Sequence, residues 1–246
     1  MSTITNTFIQ AFNKSIGSIY LDFYLNNEVE FLQTELWQCF EESRTTSPVY
    51  TKSYDLKVDD PLLRINLHCI VIVCNSMPFF AANIRSLFHK TNLPINRSLH
   101  FHPEKGKEFY YIEIQTKDKE IIDKVITAVH SSYTKIQTLI SQFSIFQEKL
   151  ESLPGIGTSD KSQLVDWLLK KGLVWEGACI QESGKELEQF GVVADNYHYL
   201  EWFNQLKTES DTILLECKET QTESFLGDNP FFCICLIHKD FKILFL

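Results

Sequence analysis

Apolar residues recur along this chain with two periods. Val29, Leu32, Leu36 and Phe40 are spaced by three or four positions, with Glu28, Glu30, Glu41 and Glu42 between them. That is the stripe of an amphipathic helix. Residues 4–43 read as helical, and the polar stretch from Ser43 to Ser47, followed by Pro48, ends that segment. Residues 49–62 are mixed in pattern and break at Asp59-Asp60-Pro61.

The most informative block comes next. Leu67 to Cys74 is a short β-branched apolar run, which predicts a buried strand. Asn75 and Ser76 are residue types that cap helices, and Pro78 suits a first helical turn. The helix expected there runs to about Thr91, with Phe80, Ile84, Leu87 and Phe88 on one face. Ile95 to Phe101 alternates as a strand does, His102-Pro103-Glu104-Lys105-Gly106 is a turn, and Phe109 to Gln115 is a second strand of a hairpin. A helix opens at Lys119. Ile122, Val125, Val129, Tyr133, Ile136, Ile140, Phe143, Phe146 and Leu150 step through it by three or four. Sustained to Glu151, it would measure roughly 50 Å at 1.5 Å per residue and pack on another helix. The alternative is two helices broken near Ser141. The order strand, helix, strand, strand, helix is most of a split β-α-β unit of the ferredoxin-like type, the topology of ACT domains.

Pro154-Gly155-Ile156-Gly157 is the best linker candidate. Beyond it the pattern predicts a helix over 160–170, a strand over 173–180, a helix over 196–207, and strands over 212–217, 231–238 and 241–246. Gly227-Asp228-Asn229-Pro230 is a turn and Lys239-Asp240 a two-residue hairpin connection. The expected fold class is therefore α+β. A helical segment (1–48) precedes an ACT-like domain (49–153), and a second α+β portion (158–246) ends inside the apolar run Ile243-Leu244-Phe245-Leu246 as though truncated.

Composition narrows the function. The chain of 246 residues is 44% hydrophobic and 22% charged, ordinary globular material, and its 19 phenylalanines predict a core filled by rings. A net charge of −9 repels phosphate backbones, so nucleic acid is not an expected partner. The sequence contains neither an eighteen-residue apolar run nor a basic, then apolar, leader, so the expectation is a cytoplasmic chain without a membrane partner. Seven cysteines without framework spacing, mostly inside apolar runs, fit reduced, buried thiols.

Chemistry-bearing motifs are sparse. Gly155-Ile156-Gly157 has Asp160 at the third glycine position of a dinucleotide cradle and follows a helix rather than a strand, so no NAD site is expected in this chain. Leu153-Pro154-Gly155-Ile156-Gly157 mimics a DNA-binding hairpin, but Lys161 and the acidic balance oppose it. His100 and His102 share a strand face, a spacing that can hold a metal. Glu104 and His68 are the candidates to complete it, and the expectation is no metal. Cys233 and Cys235 share a face and read as core. No Gly-x-Ser-x-Gly elbow is present, and no catalytic residue is assigned. Trp167, Trp175, Tyr197, Tyr199, Trp202 and Phe203 line either a core or a ligand pocket, with core preferred.

Two blocks resemble the amino-terminal region of the large bacterial NAD-dependent glutamate dehydrogenases, whose ACT-like modules precede a distant catalytic region. The first is Val71-Ile72-Val73-Cys74-Asn75-Ser76-Met77-Pro78-Phe79-Phe80, then His102-Pro103 and Phe109-Tyr110-Tyr111-Ile112-Glu113-Ile114. The second is Trp167-Leu168, Leu173, Trp175 and Gly177, then Phe190-Gly191-Val192-Val193. The family's paired aspartates are replaced by Asn75 and Ser76, a histidine by Gly172, and an Arg-Glu pair by Cys179 and Ile180. The resemblance implies a non-catalytic regulatory and assembly region. The parent reaction would be oxidative deamination of L-glutamate to 2-oxoglutarate, with NAD bound elsewhere in the parent enzyme. Implied partners are the remaining domains or neighbouring subunits, a second copy of this chain, and an amino-acid effector. The expected effector site is the turn of Asn75, Ser76 and Met77, where a helix N-terminus suits a carboxylate. The alternatives are a stand-alone ACT-like sensor and an unrelated enzyme in the aromatic second half.

Overall fold

The computed structural model describes residues 6–16, 26–46, 48–56, 67–116, 118–153, 176–192, 197–210, 213–223 and 230–246. The chain divides into two compact units, Met1–His130 and Ser131–Leu246, and is α+β in both. The linker candidate at 154–157 and the helix expected over 160–170 lie outside the described residues.

The first unit is built on a four-stranded antiparallel sheet. Its elements are α1 (Asn6–Ile16), α2 (Asn26–Ser43), β1 (Val49–Leu56), β2 (Leu67–Asn75), α3 (Phe80–Lys90), β3 (Ile95–Phe101), β4 (Lys107–Gln115) and the start of α4 (Lys119–Glu151), with strand order β1-β2-β4-β3. Strands β2 and β3 run parallel on either side of β4, which is the split β-α-β arrangement. The edge beside β2 is taken by β1, a strand of the same unit that precedes the β-α-β arrangement in sequence. Residues 49–62 concealed this strand because Thr51, Lys52 and Ser53 give an edge strand little apolar alternation.

Each central strand is buried along seven consecutive positions. Such runs arise where both faces are covered, which is why β2 and β4 read as continuous apolar stretches. On one face Cys69, Val71, Val73, Phe109 and Tyr111 meet Phe8, Phe12, Leu36, Trp37 and Phe40 of α1 and α2. Phe8 sits edge-on to Trp37, Phe101 and Phe109 at 5.2, 5.5 and 6.0 Å, so many of the chain's rings pack in one cluster. On the other face Phe80 of α3 stands edge-on to Tyr110 at 5.9 Å, and His130 of α4 bonds Thr51 at 2.9 Å.

Helix α4 is unbroken for 33 residues. Asp118 caps it, its Oδ1 accepting the backbone N–H groups of Glu120 and Ile121 at 3.0 and 3.4 Å. Its buried stripe passes through Leu139, 5% exposed, and leaves the expected Ile140 45% exposed. Positions three and four ahead of Ile136 straddle one face at 3.6 residues per turn, and the packing selects between them.

The second unit carries an antiparallel sheet of order β6-β5-β9-β8-β7, from β5 (Gly177–Glu182), β6 (Glu188–Gly191), β7 (Leu214–Glu223), β8 (Pro230–His238) and β9 (Phe241–Phe245), with α5 (Tyr197–Gln205) between β6 and β7. Phe146, Leu150 and Leu153 cover Ala178, Ile180, Leu236, Ile243 and Phe245 on one face. Tyr199 and Phe203 cover Cys179, Cys233, Cys235 and Leu244 on the other. The terminal apolar run is a central strand, paired to β5 and to β8.

Candidate functional site

The expected effector turn and the expected histidine pair meet at one end of the first sheet. Asn75 ends β2 opposite Lys107, and Cys74 lies opposite Glu108. The Ser76 N–H donates to the Gly106 carbonyl at 2.8 Å, tying the β2–α3 turn to the β3–β4 turn. Gly106 takes a φ of +79°, a conformation side chains disfavour, so glycine closes that turn. Asn75 is exposed and Met77 half-buried.

Neither Asn75 nor Ser76 caps α3. The helix begins at Phe80, after a left-handed Phe79 that supplies no side-chain cap. The Ser76 hydroxyl turns to the sheet and donates to Glu108 Oε1 at 2.7 Å. The Tyr110 hydroxyl donates to Glu108 Oε2, and His100 Nε2 lies 3.6 Å from that same oxygen. His100 stands directly opposite Tyr110 in the ladder, and its ring stacks on the phenol at 4.3 Å. His102 follows two residues on, its ring 5.3 Å from that of His100. A carbonyl only accepts, so the 3.2 Å bond between His102 Nδ1 and the Lys107 carbonyl places the proton on Nδ1.

Glu108 organises this cluster. It is 5% exposed, and burial by itself would raise its pKa. The nearby His100 and the hydrogen bonds from Tyr110 and Ser76 outweigh burial and lower it to about 2, so the carboxylate is ionised. The same environment raises the Tyr110 pKa, through burial first and then the bond to Glu108. An aspartate in place of Ser76 would set a second anion against this buried one, whereas the hydroxyl donates to it.

Sequence reasoning named the two histidines and missed Glu108 as their companion. Glu104 instead pairs with Arg44 at 3.2 Å, and His68 pairs with Asp55 at 2.9 Å at the far end of β2. The available signal was a glutamate just ahead of an apolar run, which becomes informative only once the hairpin register pairs His100 with Tyr110 and puts Glu108 on the same face.

The other candidates fall into the core or outside the described residues. Cys233 and Cys235 pack with Cys179 under α5. Burial raises all three thiols to about 12, which holds them protonated at neutral pH. Tyr199 and Phe203 are core, with Trp202 partly buried against them. Trp167, Trp175, Gly172 and residues 155–157 are not among the described residues. Cys179 and Ile180 face opposite covered sides of the second sheet.

The fold and site define an α+β chain with two helix-covered antiparallel sheets and a polar cluster at the rim of the first. No protein-family model matches it, and a search of curated proteins finds no match. Among the described residues no helix is long and apolar enough to cross a membrane.

Proposed function

We propose that this chain is a non-catalytic regulatory and assembly region, of the kind found ahead of the enzyme domain in the large NAD-dependent glutamate dehydrogenases it resembles. The observation that carries this reading is the fixed turn at Asn75, Ser76 and Met77. It is tied to the neighbouring turn through Gly106 and to the sheet through Glu108, so the exposed Asn75 is held on a rigid support. The ligand class is an amino-acid effector, met at this rim. NAD and the deamination of glutamate belong to the parent enzyme, and the partners are its remaining domains or neighbouring subunits.

The test is thermal unfolding of the purified chain with amino acids, 2-oxoglutarate or NAD. A ligand at a hundred times its dissociation constant, bound only to the folded state, stabilises it by about 2.7 kcal/mol. An amino-acid shift abolished in an Asn75→Ala/Ser76→Ala variant is the expected result. A shift with NAD alone would overturn the reading.

A further inference from the structure

We infer that His100, His102 and Glu108 form a binding site for a divalent transition-metal ion of the zinc class. The inference rests on the rim being the chain's binding site and names a ligand for it. One ligand atom from each residue can be chosen so that all three lie within 4.8 Å of one another. Tetrahedral zinc with bonds near 2.0–2.2 Å separates its ligands by ~3.4 Å. The His100 Nε2 to Glu108 Oε2 distance of 3.6 Å already matches. The remaining closure, at most ~1.4 Å, falls to His102, whose side chain is exposed.

The groups around the three ligands are those a metal site needs. A ligating imidazole commonly donates its other N–H to a carbonyl or carboxylate, which fixes the tautomer and leaves the second nitrogen as a lone pair. His102 does this through Nδ1 and the Lys107 carbonyl, so its Nε2 is the free donor. Ligating carboxylates are themselves held by hydrogen bonds, and Glu108 is held by Ser76 and Tyr110. His100 is oriented by stacking on Tyr110. Two imidazoles and one carboxylate favour zinc and its first-row neighbours over magnesium or calcium, which take oxygen ligands. Three protein ligands leave a fourth position open. The carboxylate of an amino acid would fill it, giving an anion a place beside a buried glutamate.

The test is isothermal titration of the full chain, without a polyhistidine tag and stripped by chelator, with zinc chloride. The expected result is one saturable equivalent. His102→Ala, an exposed position whose loss leaves the core intact, weakens binding at least ~10-fold, and Ser76→Ala weakens it by about 10-fold through Glu108. Cys217→Ser, which removes the exposed thiol, leaves it unchanged. Cobalt(II) loading adds an independent readout, a ligand-field spectrum lost in His102→Ala. Zinc binding that survives His102→Ala, that disappears with Cys217→Ser, or that is absent from the folded chain overturns the inference. An amino-acid shift without zinc binding overturns this inference and leaves the effector reading. Zinc binding without any amino-acid shift does the reverse.

Discussion

Gly191 ends β6 opposite Gly177 with φ at +73°. A Cβ added there would lie 2.7 Å from Leu139 Cδ2, 2.8 Å from the Glu176 carbonyl oxygen and 2.9 Å from Gly177 Cα. The leucine terminus can swing aside, but the two backbone atoms cannot. They belong to the segment that pairs with the last strand, where the Glu176 and Gly177 N–H groups both donate to the Leu246 carbonyl. Gly191 is tied further by its N–H donated to Gln142 Oε1 at 2.5 Å, and Val192 by its N–H donated to the Glu176 carbonyl at 2.8 Å. Gly191→Ala therefore carries two costs. The left-handed backbone costs about 1–2 kcal/mol for a residue with a Cβ, and overpacking adds about 1–3 kcal/mol. Gly184 separates these terms, since it has φ at +76° and nothing within 4 Å of an added Cβ. Gly184→Ala should lose only the backbone term. With a urea slope of ~2 kcal/mol/M, the Gly191→Ala midpoint should fall ~0.5–1.5 M below that of Gly184→Ala. The assay is urea unfolding followed by tryptophan fluorescence, with amide exchange in β5 and β9 isolating the second unit. Equal midpoints for the two variants would refute the close-approach argument and leave only the φ effect.

Three other outcomes follow from the packing and the titrating groups. Phe146 is fully buried, with its ring 5.4 Å from Phe190 and 5.6 Å from Phe245, so Phe146→Ala should cost about 3–5 kcal/mol in the second unit, measured by the same exchange. The Tyr50 hydroxyl donates to Glu42 at 2.5 Å, and that bond leads the groups that lower the Glu42 pKa from 4.5. A depressed carboxylate contributes stability above its ordinary pKa and loses it as pH falls through the folded value. Tyr50→Phe should therefore be most destabilising at neutral pH, with the urea-midpoint difference shrinking into acid; a constant difference would contradict the linkage. Six cysteines are buried and Cys217 is exposed, so a thiol-reactive dye should label one site quickly in the native chain and none in Cys217→Ser.

Local pattern carried much of this architecture. The apolar runs of β2 and β4, the turn between β3 and β4, the unbroken α4 and the Lys239-Asp240 hairpin are each fixed by neighbouring residues. Periodicity, capping and turn chemistry act over one or two turns of chain. The turn at Asn75 to Met77 and the pair His100 and His102 were visible for the same reason. Tertiary structure decided the rest. It placed β1, whose Thr51-Lys52-Ser53 centre carries little periodic signal, along β2. It chose Leu139 over Ile140 for the buried stripe of α4. It set β6, a four-residue strand around Phe190, beside β5. Above all it brought Glu108 to His100. The hairpin register pairs His100 with Tyr110, and the alternation of β4 then puts Glu108 on that same face. Neither spacing nor composition specifies which strands pair, because that choice is made by burial between segments far apart in sequence.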